Sequence, residues 1–511
     1  MRRLQRGCRD PSPANPRLQR GVSAIRVLIG YPPLKGKGIA TLGQNRQFQW
    51  FHVPSFIYPL VPAMAATLLQ QEGFDVLWND CIAEGWTIDQ FFSYVDAEKP
   101  GLIVLETKTP VVEQHWKIID QLKERQPTCR VVLVGDHVTA LPRESMEQCK
   151  VDYIITGGDF DLCVVAVAKH IRDGEELPKG LWYRGDGEIK DTGRFELTYD
   201  LNQLPFIDRR LTKSHLYGEK WKKREPFLYT MVGRDCPWAR CSFCSWTTLY
   251  PRFRTRTPES LLDEIEMLIR EYGAREVFDD TGTFPAGGWL KKFCEGMIER
   301  GLDKEILFSA NMRYGYLKPD LVKLMGRAGF RKLKMGLESG NQATLDRIDK
   351  NVTVQQIEEE SKFLSEAGID IHLTIMVGYP WETRQDAERT LALARRLMSR
   401  GHAEMLQSTV VVPYPGTPLH QQAIENGWFR FDPMEYSRYD MSEPVLKTPD
   451  MEPDEVMKMC GGIYQSFFAP RFVWRHLTSI RSVEDLSYVA RGTKAVIGHL
   501  LDFARHGEDT D

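Results

Sequence analysis

Three cysteines, Cys236, Cys241 and Cys244, fall within nine residues of one loop, Gly233-Arg234-Asp235-Cys236-Pro237-Trp238-Ala239-Arg240-Cys241-Ser242-Phe243-Cys244. Three thiolates this close can ligate three corners of a cubane iron–sulfur cluster, which leaves the fourth iron without a protein ligand. A small molecule can chelate that iron, so the arrangement is catalytic rather than purely electron-carrying. The competing chemistry is zinc, since Cys-x-x-Cys turns bind that ion tetrahedrally. A structural zinc needs a fourth ligand close by, and neither Cys nor His occurs between Cys244 and the helix expected to start at Pro258. Ligand count favours a cluster.

The other seven of the ten cysteines (Cys8, Cys81, Cys129, Cys149, Cys163, Cys294 and Cys460) are scattered singly, mostly in or beside apolar segments. They read as buried, inert thiols. A chain this large without a regular cysteine framework points to a reducing compartment and a cytoplasmic location. The 511 residues are 42% hydrophobic and 27% charged, the balance of a soluble globular chain of two or three domains. A net charge of −3 gives no electrostatic reason to expect a nucleic-acid partner. No apolar run approaches the roughly 20 residues that span a bilayer. Residues 1–24 are rich in Arg, Pro and Gly and lack the apolar stretch of a secretory signal. They read as a disordered leader, with an Arg-rich transit peptide as the alternative.

Short β-branched runs alternating with amphipathic helices must position the cysteine loop. Five strands are expected in residues 25–175, at Ile25–Gly30, Asp75–Asn79, Gly101–Glu106, Arg130–Gly135 and Tyr153–Thr156. With helices between them they predict a doubly wound (Rossmann-like) parallel sheet. Ligands of such sheets bind at the carboxyl ends of the strands, which here carry Thr107-Lys108-Thr109, Gly135-Asp136-His137 and Gly157-Gly158. Residues 176–225 have weak periodicity and read as a linker with a small hairpin around Leu181–Ile189. A second series of six strand–helix units over 226–425 predicts a partial (β/α)6 barrel, with its chemistry at the strands' carboxyl ends. Residues 426–511 read as a mostly helical tail. Its segment Phe467–Arg475 mixes aromatic and basic residues, as a helix packed on the barrel or a membrane-contacting face would.

The cysteine loop resembles that of the radical S-adenosylmethionine superfamily, in the branch with an amino-terminal cobalamin-binding domain typified by the anaerobic magnesium-protoporphyrin monomethyl ester cyclase. Further segments agree, each at a strand end: Phe278-Asp279-Asp280-Thr281-Gly282-Thr283-Phe284, Ser309-Ala310-Asn311-Met312-Arg313, Gly336-Leu337-Glu338-Ser339-Gly340, Val377-Gly378-Tyr379-Pro380-Trp381-Glu382-Thr383 and Pro413-Tyr414-Pro415-Gly416-Thr417-Pro418. The similarity covers roughly residues 25–425. One departure is the four residues between Cys236 and Cys241, where the superfamily usually has three.

The resemblance implies that Cys236, Cys241 and Cys244 hold a [4Fe–4S] cluster whose open iron binds S-adenosylmethionine. It places Phe243 near the adenine, or shielding the cluster. Asp279, Asp280, Thr281 and Gly282 are expected near the methionine ammonium, and Glu338 and Ser339 at the ribose or methionine end. Glu338 reads alternatively as half of an ion pair that closes the barrel. Gly378 and Pro380 would shape the turn beside the adenine. Thr107, Lys108, Thr109, Gly135, Asp136 and His137 would border cobalamin, bound without a histidine on cobalt because the Asp-x-His-x-x-Gly signature is absent from this half. The implied partners are an external electron donor such as flavodoxin or ferredoxin and a small-molecule or lipid-like substrate. The implied activity is methylation of an unactivated carbon. Radical cyclisation or ring rearrangement is one alternative, and a radical enzyme whose first sheet is a scaffold without cobalamin is the other.

Overall fold

The computed structural model of the chain describes residues 25–42, 48–52, 54–480 and 483–504. The expected leader, with Cys8, lies outside them.

The first sheet contains β1 (Arg26–Tyr31), β2 (Asp75–Asp80), β3 (Leu102–Glu106), β4 (Arg130–Val134), β5 (Tyr153–Ile155), β6 (Leu181–Gly185) and β7 (Glu188–Asp191). Their spatial order is β2-β1-β3-β4-β5-β6-β7, parallel up to β5. The strand order reverses between β1 and β3, which opens a crevice at their carboxyl ends. The helices α1 (Leu60–Gln71), α2 (Ile88–Glu98), α3 (Val112–Arg125) and α4 (Phe160–Asp173) lie between the strands in sequence. The strands β3 and β4 are apolar at almost every position because helices cover both faces.

The segment read as a linker is bound into the structure. Its hairpin pairs antiparallel with β5, Tyr153 opposite Tyr183, and so extends the first sheet. Further along, the buried guanidinium of Arg209 lies 3.1 Å from Glu264. The weak periodicity reflects partners supplied by both halves rather than solvent exposure.

The second sheet runs β8 (Phe227–Thr230), β9 (Glu276–Asp279), β10 (Leu307–Met312), β11 (Phe330–Glu338), β12 (Asp370–Val377) and β13 (Met405–Val410), all parallel and in sequence order. This is the six-stranded partial barrel. Its helices include α5 (Pro258–Tyr272), α6 (Gly287–Glu299), α7 (Pro319–Arg327), α8 (Val354–Glu366) and α9 (Arg384–Arg400). Thr257 caps α5 by accepting from the Ser260 amide, with Pro258 in the first turn. Capping boxes at Thr353/Gln356 and Thr383/Asp386 start α8 and α9. Phe227, Tyr229 and Phe278 pack into the same core as Val27, Leu60 and Val104, so the two halves share buried surface.

The helix α10 (Pro418–Glu425) follows the last barrel strand, and the tail beyond it is largely helical, with α11 (Pro453–Gly462), α12 (Pro470–Ser479) and α13 (Val483–Ala504). Phe467 and Phe472 are buried against the barrel core, while Trp474 is 70% exposed. Five of the scattered cysteines (Cys81, Cys129, Cys149, Cys294 and Cys460) are buried and Cys163 is half-buried. Burial pushes the thiols of Cys129, Cys149, Cys163, Cys294 and Cys460 up to about 12, where they stay protonated and inert. Among the described residues no helix is long and apolar enough to cross a membrane.

Candidate functional site

The cysteine loop leaves β8 and is held at both ends. Its first turn, Gly233–Arg234, pairs antiparallel with Arg254–Thr255. The Ser242 amide donates to the Ile348 carbonyl at 3.0 Å, and the Ser242 carbonyl accepts from the Leu419 amide at 2.9 Å. Ala239, inside the longer spacing between the first two cysteines, takes φ +46°, so the loop spends a left-handed residue there. Cys236, Cys241 and Cys244 are half-buried and line one cavity of about 220 Å3, open to solvent at its mouth. Burial pushes the Cys241 thiol up to about 11, with Lys350 pulling the other way. Cys236 Sγ lies 3.2 Å from Thr283 Oγ1. Among the described residues no three His, Cys, Asp or Glu side chains converge as ligands of a single metal ion. A cubane differs in its demand, because it takes one thiolate at each of three separate irons.

The acidic turn after β9 divides in two. Asp279 is fully buried and accepts from Thr230 Oγ1 and the Val232 amide, each at 2.9 Å, and from the Thr281 amide at 3.1 Å. Thr281 accepts from the Gly233 amide at 2.8 Å. These two residues brace the cysteine loop from below and do not line the cavity. Asp280, Gly282 and Thr283 do line it. Asp280 Oδ1 accepts from the Asn311 amide at 2.9 Å. A side chain on Gly282 would put its Cβ 2.3 Å from Asp235 Oδ1, so glycine is required for that carboxylate's approach.

At the end of β11, Glu338 Oε1 lies 2.7 Å from Lys350 Nζ, both side chains nearly buried and both at the cavity wall. The ion-pair reading of Glu338 is therefore the geometry present, and it leaves the second carboxylate oxygen for another donor. Gly336 makes room for this pair, since its Cβ would meet Glu338 Oε1 at 2.1 Å. Phe243 lines the cavity. Ser339 turns away, toward Thr390 Oγ1 at 3.2 Å and the Asn341 amide at 3.1 Å. Gly378 and Pro380 lie off the cavity. Gly378, at φ +92°, donates its amide to the buried Glu382 at 2.7 Å. Burial holds the Glu382 carboxyl up at about 8.

The residues expected to border a corrin are buried, in contacts within the first half and in a few to the second. Thr107 Oγ1 lies 2.9 Å from His115 Nδ1, and Thr109 Oγ1 lies 3.2 Å from His137 Nδ1. His137 Nε2 faces Glu144 Oε2 at 3.3 Å, and its ring packs edge-on against Tyr436. Lys108 Nζ lies 3.6 Å from Asp136 Oδ2, which also accepts from Ser245 Oγ at 3.2 Å, next to Cys244. At Gly135 (φ +127°) a Cβ would stand 2.2 Å from the Thr107 carbonyl. Asp136 thus joins the first sheet to the end of the cysteine loop, and all of these side chains are buried. The crevice they flank is filled by its own side chains. Beneath the carboxyl ends of β1, β3 and β4 only a void of about 10 Å3 is left, walled by residues including Ile29, Val104, Val134 and Phe160, with Glu106 and Tyr31 at one edge, so a corrin enters here only if these walls part. Burial lowers His115 to about 4, so that ring is neutral and occupied.

Sequence reasoning missed much of the cavity wall. Arg313, Lys334, Lys350, Thr374, Gln407, Thr409 and Tyr414 line it, and Ile57 reaches it from the first half. A signal was present in β11, where Lys332, Lys334, Gly336 and Glu338 alternate with the buried Leu333, Met335 and Leu337. Polar residues at period two in a barrel strand mark its interior face.

Residues 230–394 match the radical SAM superfamily, and residues 51–162 match the B12 binding domain. An uncharacterized methyltransferase of Pyrococcus horikoshii is 26% identical over 416 residues, covering 80% of this chain and 87% of that one. The anaerobic magnesium-protoporphyrin IX monomethyl ester cyclase of Cereibacter sphaeroides is 26% identical over 76% of this chain, which spans 64% of the cyclase's length. Among solved structures, the radical S-adenosylmethionine methyltransferase TsrM of Kitasatospora setae, with cobalamin and a [4Fe–4S] cluster bound, superposes with a TM-score of 0.65 at 16% identity, over 94% of this chain and 100% of that one. One domain implies S-adenosylmethionine and a [4Fe–4S] cluster, and the other implies cobalamin. The chain is therefore a radical S-adenosylmethionine enzyme with a B12-binding domain set ahead of its barrel.

Proposed function

We propose that the chain methylates an unactivated carbon, with Cys236, Cys241 and Cys244 holding the cluster at the mouth of the barrel. The observation that carries this reading is the shared cavity, in which the three thiols, Asp280, Glu338 and Lys350 face one another, with Ile57 of the first half on the same wall. When bound, the cluster supplies the electron that cleaves S-adenosylmethionine, and cobalamin supplies the methyl group. Asp280 is placed to receive the methionine ammonium and the free oxygen of Glu338 a ribose hydroxyl, while Phe243 screens the site from water. Asp279, Thr281, Ser339, Gly378 and Pro380 act through position. They fix the loops that carry the contacting groups. Asp136 and Lys108 hold Ser245, and with it the third cysteine, against the sheet whose crevice would take the corrin. An external reductant of the flavodoxin or ferredoxin kind would deliver the electron.

Two of the similar proteins are named as methyltransferases, which supports methyl transfer. Cyclisation is the second reading, supported by the similarity to the magnesium-protoporphyrin enzyme. Product stoichiometry separates them. A methyltransferase that uses one S-adenosylmethionine for hydrogen removal and a second as methyl donor releases 5′-deoxyadenosine and S-adenosylhomocysteine in near-equal, substrate-dependent amounts. Substrate-dependent deoxyadenosine without matching S-adenosylhomocysteine contradicts methyl transfer and leaves cyclisation.

A further inference from the structure

The charges lining the barrel cavity are unevenly distributed with depth. Its carboxylates, Asp235, Asp280 and Glu338, all sit at the carboxyl ends of the strands or in the loops above them. The cations at that level have partners. Lys350 pairs with Glu338 at 2.7 Å. Arg313 donates to the carbonyls of Tyr314 and Lys350, and its guanidinium lies 4.5 Å from the centre of the Trp238 ring. At the floor, Lys332 pairs with Glu219, and Arg331 with Glu276. Lys334 lies between these levels, four residues before Glu338 and so about 13 Å from it along β11. It lines the cavity and makes no ion pair among the described residues. Its charge acts on Glu219, whose carboxyl is hydrogen-bonded to Lys332.

The strand register shows what surrounds Lys334. Its neighbours are Asn311 on β10 and His372 on β12. One layer nearer the mouth are Gly336, Thr374 and Gln407, in register across β11, β12 and β13. Both amide hydrogens of Asn311 go to Asp280 and Thr281. The middle of the barrel therefore holds a cation that makes no ion pair of its own among the described residues, with a hydroxyl, a primary amide and the space left by a glycine above it. An apolar group inserted this deep would strip water from the Lys334 ammonium and return nothing, whereas an oxyanion would pair with it.

We infer that Lys334 seats an oxyanion of the substrate, a carboxylate or a phosphoryl group, in the middle layer of the barrel below S-adenosylmethionine. The inference rests on the reading of this cavity as the reaction chamber, and it fixes the substrate's orientation. The anionic end points to the floor and the reacting carbon toward the cysteine loop. A lipid-like substrate would have to enter headgroup first.

The test uses the full chain with its cluster reconstituted and S-adenosylmethionine present, under anaerobic conditions. Acylation of Lys334 by a neutral amine reagent is followed by peptide mass spectrometry, with acetate or inorganic phosphate as probe and chloride matching ionic strength. The expected result is saturable slowing, about fivefold when the anion stands at about four times its dissociation constant, since protection scales as 1 + [L]/Kd. The exposed Lys117 should be unaffected. Protection by acetate alone assigns a carboxylate, and by phosphate alone a phosphoryl group. No protection by either anion overturns the inference. So does full protection by S-adenosylmethionine alone, or a Lys334→Met chain that keeps its iron and loses S-adenosylmethionine binding, because Lys334 would then belong to the cofactor's site. The product ratio that tests methyl transfer is read separately, so either claim can fail without the other.

Discussion

The guanidinium of Arg234, two residues before the first loop cysteine, lies 2.7 Å from Asp161 Oδ2 at the start of α4, with both side chains buried. Asp159 accepts from Arg234 at 3.2 Å and from both terminal nitrogens of Arg254, at 2.6 and 2.7 Å. Two arginines of the cysteine loop region are thus clamped to two aspartates of the B12-binding half. Desolvating four charges is costly, so the clamp's main effect is to fix the loop against the first sheet rather than to add much net stability.

Breaking one side of the clamp leaves a buried charge unpaired. Arg234→Met strands Asp161 while Asp159 keeps Arg254, and the expected loss is about 3–5 kcal/mol, the usual cost of removing one partner from a buried pair. Denaturant unfolding measures it. A loss below about 1 kcal/mol, the range of exposed pairs, would show that the clamp is solvated.

Glu382 predicts a pH dependence. Its carboxyl is held at about 8 by burial, above its ordinary value of 4.5, so the folded chain binds this proton more tightly than the unfolded chain. The resulting stabilisation is complete below about pH 4.5 and is lost as pH rises toward about 8. Glu382→Gln keeps an acceptor for the Gly378 amide and removes the titration. The variant's melting temperature relative to the parent's should rise steadily between pH 5 and 8. A constant difference across that range would mean that Glu382 is ionised in the fold.

The first half predicts the state of bound cobalt. His137 has Thr109 and Glu144 beside its two ring nitrogens, and His115 is a buried neutral ring bonded to Thr107. Neither is placed to ligate a corrin. The cobalt(II) EPR spectrum of the full chain should therefore carry no nitrogen superhyperfine splitting from a protein histidine, and His137→Ala should leave it unchanged. Splitting that disappears in that variant would contradict this arrangement.

Both sheets were legible in the sequence because their strands are short apolar runs with turn residues at their ends. In the first sheet β2, β4 and β5 begin where the pattern places them, at Asp75, Arg130 and Tyr153, and end within one residue of it. The cysteine loop was legible because its ligand types lie adjacent in the chain. The roles of Asp136, Lys108 and His137 were not, because the residues that bury them, Ser245, Trp246 and Tyr436, lie more than 100 positions away. Asp279 and Asp280 are neighbours of one type, and only the backbone geometry separates the brace from the cavity-facing carboxylate. Lys350 could not be paired with Glu338 from sequence, because a helix and a turn lie between them.

The central claim is that three cysteines hold a cluster with one iron open to S-adenosylmethionine, and EPR of the reduced, reconstituted chain tests it most directly. The account predicts about four irons per chain and a [4Fe–4S] signal whose g values move when S-adenosylmethionine is added. Replacing Cys236, Cys241 or Cys244 by Ala should abolish the signal, whereas Cys294→Ala should retain it. A signal that is identical with and without S-adenosylmethionine, or that survives in the triple Ala chain, would contradict the account.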